Sequence, residues 1–325
     1  MNEPLSFGLI SDIQYADIEA ASNFSGSEHR DYRGAATAAR ASMVKMLSDP
    51  SLSFVAHLGD LIDGQNAGEY GQGLSLDAPQ SEQALQVVLN IWSDCSTPIH
   101  HIIGNHELYN FTWAALDERL NQTCGLGEHH LPRPHGYGSF SPAKGWRVIS
   151  LNSYEINVIK PRDEHTRSEA EAILTEMNPN FGAKAPYNFF EGLPPHRLRY
   201  VPFNGGFGSK QLAWLITELQ EARRQGERCI ILSHLPCYGP SASLRNLAFD
   251  ADDLLLLIGQ YAELISAYFA GHRHSGGAAT DPHGVHHITI QSPLTHGECA
   301  AIIKVNEETL SVEGIGAHRS YHFHL

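Results

Sequence analysis

The sequence predicts an α/β protein with mixed β-sheets packed face to face between helices. The first observation is a set of short, nearly continuous apolar runs that each end in small and polar residues: FGLISD (7–12), SFVAHLGD (53–60), IHHIIGNHE (99–107), WRVISLN (146–152), RCIILSH (228–234) and AYFAGHRH (267–274). Such runs are typical of strands buried on both faces. The second observation is that helical patterns lie between them. The third is that ITIQ, AAIIKV and LSVEGIG, near the end of the chain, predict consecutive strands.

Helices are predicted in four segments between the runs: 33–47, 81–92, 209–224 and 250–266. The first is rich in alanine, and the others carry apolar residues at i, i+3 and i+4 spacing. Ser209 is a predicted N-cap. His57 lies inside an apolar run and is predicted to be a core histidine, while the ending HRSYHFHL alternates like an edge strand. Strands that alternate with helices indicate α/β layering.

The chain of 325 residues is predicted to form one domain, 1–325, because no linker divides it. Three stretches are predicted as loop insertions, near residues 65–80, 121–142 and 178–208. The first is rich in glycine, and the second is rich in proline and histidine. Long loops in a compact domain usually serve a site or are mobile.

Composition argues against several kinds of partner. The formal net charge of −14 does not fit a broad surface for nucleic acid, which requires clustered Lys and Arg. No stretch approaches the roughly 20 apolar residues of a membrane span. The start MNEPLSFGLI lacks the features of a signal peptide, and the five cysteines are odd in number and scattered. We therefore expect a cytoplasmic protein with no membrane and no nucleic-acid partner.

Potential metal ligands follow five of the predicted strands. They are Asp12 and Gln14, Asp60, Asn105, His234, and the pair His272 and His274. Ligands of open α/β proteins bind at the carboxyl ends of the strands, so these side chains are expected at one edge. Mixed oxygen and imidazole donors suit Mn, Fe, Zn or Co, and their number suits two ions. Three glycines, Gly59, Gly104 and Gly271, would let the backbone turn sharply beneath the ions.

In this order, the five blocks resemble the pattern D-x-H, G-D, G-N-H-E, H, G-H-x-H of the calcineurin-like metallophosphoesterases. The resemblance implies a sandwich of two mixed β-sheets flanked by helices. It also implies two ligand sets that share Asp60: Asp12, Gln14, Asp60 and His274 for the first metal, and Asp60, Asn105, His234 and His272 for the second. His106 would then face the substrate, to stabilise phosphoryl oxygens or to protonate the leaving group, and Glu107 would orient the loop.

Gln14 stands where most members of the superfamily have histidine, and this departure narrows the branch. Asp12-x-Gln14 followed by Tyr-Ala-Asp resembles the manganese-dependent ADP-ribose/CDP-alcohol diphosphatases. Further blocks agree: YRG (32–34), NHELYN (105–110), FNGG (203–206), QLAWL (211–215), SHLP (233–236) and GVHHITI (284–290). Two features differ from that branch, Arg273 between the paired histidines and a longer insertion at 65–80, and both bear on substrate preference.

The resemblance implies hydrolysis of the pyrophosphate bond of ADP-ribose, CDP-choline and other CDP-alcohols, with release of a nucleoside monophosphate. The cofactors would be two divalent ions, with Mn favoured by the amide ligand and Fe, Zn or Mg as alternatives. A cyclic-nucleotide phosphodiesterase, a phosphomonoesterase and a non-catalytic scaffold are alternatives on the same fold. The partner would be a small nucleotide, and the sequence leaves the oligomeric state open. Four residues are candidates for substrate contacts: Arg33, Arg199, Phe203 and Phe249.

Overall fold

The computed structural model of the chain describes residues 2–23, 26–68, 79–93, 95–123, 136–182 and 188–325. Its strands are β1 (Leu5–Ile10), β2 (Ala21–Ser22), β3 (His29–Arg30), β4 (Phe54–His57), β5 (Ile99–His101), β6 (Gly138–Ala143), β7 (Trp146–Ser150), β8 (Arg228–Leu232), β9 (Ile265–Ala270), β10 (Gly277–Thr280), β11 (His286–Thr289), β12 (Cys299–Val305), β13 (Thr309–Gly316) and β14 (Tyr321–His324). Its helices are α1 (Gly34–Met46), α2 (Ser81–Leu89), α3 (Asn105–Asn110), α4 (Trp113–Thr123), α5 (Glu164–Met177), α6 (Gly208–Gln225), α7 (Ala251–Gln260) and α8 (Pro293–His296).

Two mixed sheets of six strands form the centre of the fold. The first has the order β14-β13-β12-β1-β4-β5, and the second has the order β10-β11-β9-β8-β7-β6. Strands β1, β4 and β5 are parallel, as are β7, β8, β9 and β11, while the remaining strands of both sheets run antiparallel to their neighbours. The predicted sandwich of mixed sheets is therefore confirmed.

Apolar side chains from both sheets fill the space between them. Phe7 of β1 stacks on Phe54 of β4, with ring centroids 4.8 Å apart. Phe7 also meets Phe269 of β9 edge-on, with centroids 6.0 Å apart, and Phe269 belongs to the second sheet. Aromatic pairs in these geometries add to the free energy gained by burying their surface. The outer faces of the sheets pack on helices, which explains why the central strands are apolar on both sides.

The predicted helices exist, but several of their ends differ; the second, predicted to reach Trp92, ends at Leu89. The segment predicted at 250–266 ends as a helix at Gln260, because Ile265 already begins β9. The prediction of Ser209 as the N-cap of α6 was wrong. The helix begins at Gly208, and the carboxylate of Asp250 accepts the backbone N–H groups of Phe207 and Gly208 at 2.8–3.0 Å. This cap comes from a distant segment and is invisible to local sequence patterns.

The end of the chain divides between the two sheets. Strand β11 belongs to the second sheet, whereas β12 and β13 belong to the first, with the short helix α8 between them. Strand β14 lies at the edge of the first sheet, as the alternation of HRSYHFHL predicted. Of the predicted insertions, residues 69–78, 124–135 and 183–187 lie outside the described part of the chain. The single-domain assignment stays a prediction.

Candidate metal centre

The predicted ligands converge where the strands end. Asp12 follows β1, Asp60 follows β4, and His234 and His272 follow β8 and β9 of the second sheet. The Asp60 Oδ2 atom lies 3.4 Å from His234 Nε2, and His234 Nε2 lies 3.2 Å from His272 Nδ1. One ligand atom from each of Asp60, His234 and His272 falls within 4.8 Å of the others, so these three could share one cation.

A second group of donors also lies next to the Asp60 carboxylate. Asp12 Oδ1 is 3.6 Å from His274 Nε2, and the side-chain nitrogen of Gln14 lies 2.9 Å from Asp60 Oδ2 and 3.1 Å from His274 Nε2. Gln14 Oε1 is buried without a partner among the described residues. A half-turn of the Gln14 amide would bring this oxygen toward the carboxylate and the imidazole. Three acceptors facing one another fit a bound cation.

The backbone is unusual at four of the predicted ligands. Among the described residues, the non-glycine residues with positive φ are Asp12 (55°), Gln14 (45°), Asp60 (64°) and His272 (65°). The left-handed region is unfavourable for residues with a Cβ, and such strain concentrates at functional sites. Here it turns the chain sharply at three strand ends and directs side chains from separate strands to one place.

The glycines beside the ligands leave room for them. A Cβ on Gly59 would lie 2.4 Å from His234 Nδ1, and one on Gly104 would lie 2.1 Å from Asp60 Oδ1. A Cβ on Gly271 would lie 2.6 Å from Asp12 Oδ2. The backbone therefore approaches the ligands as closely as only glycine permits, which agrees with the prediction made from these three positions.

Hydrogen bonds orient the histidine rings. His234 Nδ1 is 2.7 Å from the Leu58 carbonyl, His272 Nε2 is 2.9 Å from Asn204 Oδ1, and His274 Nδ1 is 3.0 Å from Glu28 Oε2. In each ring, one nitrogen faces an acceptor and the other faces the cluster. Ligands to metals in proteins are held in this way by a hydrogen bond from the distal ring nitrogen.

His106 lies at the rim of the cluster. Its Nδ1 is 2.8 Å from the Gly64 amide nitrogen and 3.2 Å from Asp63 Oδ2, and its Nε2 is 4.0 Å from Asp60 Oδ2. Burial lowers the pKa of His106, but Asp60 and Asp63 outweigh that effect, so the pKa lies above its usual value. The imidazole is therefore fixed in orientation and surrounded by negative charge, which suits a proton donor.

Glu107 supports the turn that carries Asp60. Its carboxylate accepts the backbone N–H groups of Asp60 at 2.9 Å, of Gly104 at 2.7 Å, and of Leu61. Burial and the nearby Asp60 raise the pKa of Glu107 to about 7, although the three amides act in the opposite direction. These contacts are those of a residue that orients a loop, as predicted.

The charged groups of the cluster shift one another's pKa values. Burial raises the pKa of Asp60, but His234 and His106 outweigh it, so the pKa lies well below its usual value. Burial lowers the pKa of His234, but Asp60 raises it to about 9. The Asp60 carboxylate therefore favours the protonated form of the His234 ring. Metal binding must displace such protons, so the site is expected to bind cations more tightly at higher pH.

The candidates for substrate contacts occupy different surroundings. The Phe203 ring centroid lies 6.2 Å from that of His272, beside the cluster. Arg33 instead pairs with the carboxylates of Asp17 and Glu19, and it is half exposed. Arg199 pairs with Asp252 at 3.0 Å.

Phe249, the fourth candidate, is buried and stacks on Tyr200, with ring centroids 5.9 Å apart. Of the four candidates, only Phe203 contacts a predicted ligand, and the roles of all four remain predictions.

Sequence reasoning missed four residues that hold the site: Glu28, Asp63, Tyr154 and Asn204. Asp63 follows Asp60 by three residues, and Asn204 lies inside the FNGG block, so both stood beside quoted motifs. Tyr154 donates its hydroxyl hydrogen to Asn105 Oδ1 at 3.1 Å. Glu28 reaches His274 across 246 positions of the chain, and no local pattern marks it.

The fold and the converging ligands together define a calcineurin-like phosphoesterase. The chain belongs to that family, because the sequence model of the family matches residues 5–276. A manganese-dependent ADP-ribose/CDP-alcohol diphosphatase from Danio rerio is 34% identical over 332 residues, covering 97% of each chain. The Homo sapiens protein of the same name is 33% identical and covers 89% of this chain and 82% of its own length. Within the calcineurin-like class, the chain belongs to the manganese-dependent ADP-ribose/CDP-alcohol diphosphatase family.

Solved structures agree with this assignment. The crystal structure of a dimetal phosphatase from Danio rerio is 31% identical, has a TM-score of 0.85, and covers 99% of each chain. The structure of PhoD, 11% identical with a TM-score of 0.57, shares the fold alone. Among the described residues, no helix combines the length and the apolar character needed to cross a membrane.

Proposed function

We propose that this protein is a manganese-dependent hydrolase of the pyrophosphate bond in ADP-ribose, CDP-choline and related nucleoside diphosphate compounds. A nucleoside monophosphate would be one product. The observation that carries the proposal is the convergence of carboxylate, amide and imidazole donors around Asp60. The printed names of the relatives, which specify manganese, ADP-ribose and CDP-alcohols, support the same reaction.

Two divalent cations would be held by the two groups of donors that share the Asp60 carboxylate. The first would be held by Asp12, Gln14, Asp60 and His274, and the second by Asp60, Asn105, His234 and His272. Such a pair supplies an activated water and stabilises charge on the attacking and leaving oxygens of an in-line displacement. The amide and the two carboxylates add oxygen donors to the set, which favours Mn over Zn.

His106 would serve the leaving group. The Gly64 N–H donates to its Nδ1, which leaves the ring hydrogen on Nε2, the nitrogen turned toward Asp60. From this place, Nε2 can donate a hydrogen bond to a phosphoryl oxygen and can protonate the departing phosphate. Phe203, beside His272, would contact the part of the nucleotide that lies next to the second cation.

Substrate comparison tests the proposal. Purified protein with Mn²⁺ is expected to hydrolyse ADP-ribose and CDP-choline, releasing AMP and CMP respectively, much faster than cyclic AMP or p-nitrophenyl phosphate. The Asp60→Asn variant should lose the activity, because it removes the charge on which both cations depend. Preferential hydrolysis of cyclic AMP would favour a phosphodiesterase instead. Turnover of p-nitrophenyl phosphate alone would favour a phosphomonoesterase.

A further inference from the structure

We propose that Asn204 and Glu28 are positioning residues, each of which serves one of the two cation sites. Asn204 orients His272 for the second site, and Glu28 orients His274 for the first. The two histidines are only two residues apart, yet their supports come from separate segments of the chain. This inference rests on the proposed dimetal site, but it concerns metal affinity and does not depend on which substrate is hydrolysed.

The orientation of the Asn204 amide is fixed by its surroundings. Its side chain is fully buried, and Nδ2 donates to the carbonyl oxygens of Arg199 and Arg245, each at 2.8 Å. Both N–H donors of the amide are thereby used, so the atom that faces His272 Nε2 at 2.9 Å must be the acceptor oxygen.

This assignment determines the tautomer of His272. Because Asn204 Oδ1 can only accept, His272 Nε2 carries the hydrogen, and Nδ1 keeps its lone pair. Nδ1 is the atom that lies 3.2 Å from His234 Nε2, inside the cluster. A neutral imidazole binds a metal through such a lone pair, and the hydrogen bond at the other nitrogen raises the basicity of the ligand. Asn204 therefore selects the ligating atom of His272.

Tyr154 lies between Asn105 and the loop that carries Asn204. The Tyr154 hydroxyl lies 3.1 Å from Asn105 Oδ1 and 3.3 Å from the carbonyl oxygen of Phe203, the residue before Asn204. Asn105 is the predicted amide ligand of the second cation. The loop thus contacts one predicted ligand of the second site directly, through Asn204, and adjoins Tyr154, which contacts another.

Glu28 acts on the first site. It precedes β3 in the small hairpin of β2 and β3, and its Oε2 lies 3.0 Å from His274 Nδ1. The same oxygen accepts from Arg30 Nε at 3.0 Å, and both side chains are about three-quarters buried. A carboxylate held in place by an arginine fixes the hydrogen on His274 Nδ1 and leaves Nε2 free to face Asp12 and Gln14.

Manganese titration of metal-free protein tests this division, with electron paramagnetic resonance to count free and bound Mn²⁺. Wild type is expected to bind two ions. Asn204→Ala and Glu28→Ala should each lower the affinity for one of the two Mn²⁺ ions about 10–100-fold, the range for loss of a residue that supports a metal ligand. The double variant should lower the affinity for both ions. If the two residues served the same site, the double variant would retain one tight ion, and the proposal would be overturned.

Two further variants separate positioning from folding. Asn204→Asp keeps the acceptor oxygen and loses the N–H donors, so it should retain manganese affinity even where stability falls. Asn178→Ala is the matched control, because buried Asn178 also donates to two loop carbonyls, those of Phe189 and Tyr200, without contacting a ligand. Equal loss of affinity in Asn178→Ala would assign the effect to loop stability and overturn the inference.

The outcome is distinguishable from failure of the proposed function. Selective loss of one ion in each variant, in a protein that does not cleave ADP-ribose, would refute the substrate and leave the positioning roles intact. Wild-type protein that binds fewer than two Mn²⁺ would overturn both. Cleavage of ADP-ribose with unchanged manganese affinity in both alanine variants would refute the positioning roles alone.

Discussion

The carboxylate of Glu107 holds the backbone of Asp60: Oε2 accepts the Asp60 amide hydrogen at 2.9 Å. Glu107 lies 47 positions after Asp60 and 46 positions after Leu61, and its carboxylate accepts the amide hydrogens of both. The same carboxylate also accepts the amide hydrogen of Gly104, at the start of its own helix. The Asp60 carboxylate, which both cations would share, therefore lies on a turn that is held by a residue following the next strand, β5. Asp60 has a positive φ of 64°, which is unfavourable for a residue with a Cβ, and these hydrogen bonds stabilise that backbone conformation.

Replacing Glu107 with Gln should weaken this support. One of the two acceptor oxygens becomes an N–H₂ group, which faces amide hydrogens and leaves a buried donor unpaired. A loss of about 1–3 kcal/mol in the free energy of unfolding is expected, together with weaker manganese binding. Denaturant unfolding of metal-free protein measures the first effect. Glu176→Gln, at an exposed position of α5, is the control and should change neither quantity.

His106→Ala should keep both cations and slow pyrophosphate hydrolysis by about 10²–10⁴-fold, the range for a lost general acid. Metal binding should survive because the contact with Asp60 Oδ1 at 2.9 Å comes from the His106 backbone N–H. Asp63→Asn should reduce kcat by less, since it loosens the ring without removing it. Steady-state rates and bound manganese are measured on the same samples. An unchanged kcat in His106→Ala would remove this residue from the mechanism.

Gln14 is expected to set the choice of metal. Gln14→Leu should lower the affinity for one manganese ion at least tenfold, which corresponds to about 1.4 kcal/mol of binding free energy. Gln14→His should retain both ions and raise the activity with Zn²⁺ relative to Mn²⁺, because imidazole suits zinc better than an amide oxygen does. Metal titrations and rates with each ion give the comparison. Full manganese affinity in Gln14→Leu would mean that the amide is not a ligand.

His57 should make the fold sensitive to acid. Burial lowers its pKa from 6.5 to about 3, so the folded protein keeps the ring neutral while the unfolded chain is protonated below pH 6.5. The contribution of the neutral His57 ring to the free energy of unfolding is therefore fully present above pH 6.5 and decreases as the pH drops from 6.5 toward 3. Between pH 7 and pH 5, the loss is about 2 kcal/mol.

The variant His57→Asn checks this prediction. Its Oδ1 can replace Nδ1 as the acceptor of the Gly59 amide, which lies 3.2 Å from Nδ1. The variant is expected to be less stable at pH 7 but to lose about 2 kcal/mol less than wild type on going to pH 5. Urea unfolding at both pH values provides the four free energies. Parallel losses in the two proteins would show that His57 does not contribute to acid sensitivity.

Gly104→Ala should damage the site through contact and not through backbone strain. The backbone at Gly104 has φ −103°, which any residue adopts, but a Cβ there would lie 2.1 Å from Asp60 Oδ1. A loss of about 1–3 kcal/mol in stability is expected, as for an overpacked core, with weaker manganese binding. Gly192→Ala, whose Cβ would meet nothing within 4 Å, should leave manganese binding unchanged. Normal manganese affinity in Gly104→Ala would contradict the close approach.

Much of the fold followed from sequence periodicity. The apolar runs became strands of both sheets, all of them interior except β5 at an edge, and the alanine-rich and amphipathic segments became α1, α2, α6 and α7. Helix ends were less certain, as the cap that Asp250 provides for α6 illustrates. Helices α3, α4, α5 and α8 were missed. Helix α3 begins within the predicted metal-binding motif, α4 and α5 adjoin predicted loops, and α8 has only four residues.

The sequence by itself determined which residue types are the predicted ligands and the order in which they occur along the chain. Asp12, Asp60, His234 and His272 each follow an apolar run, and strands that carry such runs end at a common edge. What only the tertiary structure decided is which ring nitrogen faces the cluster and what holds it there. The supports of His272 and His274, Asn204 and Glu28, lie 68 and 246 positions away along the chain. Hydrogen bonds over such separations are set by packing of the two sheets and their loops, and local patterns carry no record of them.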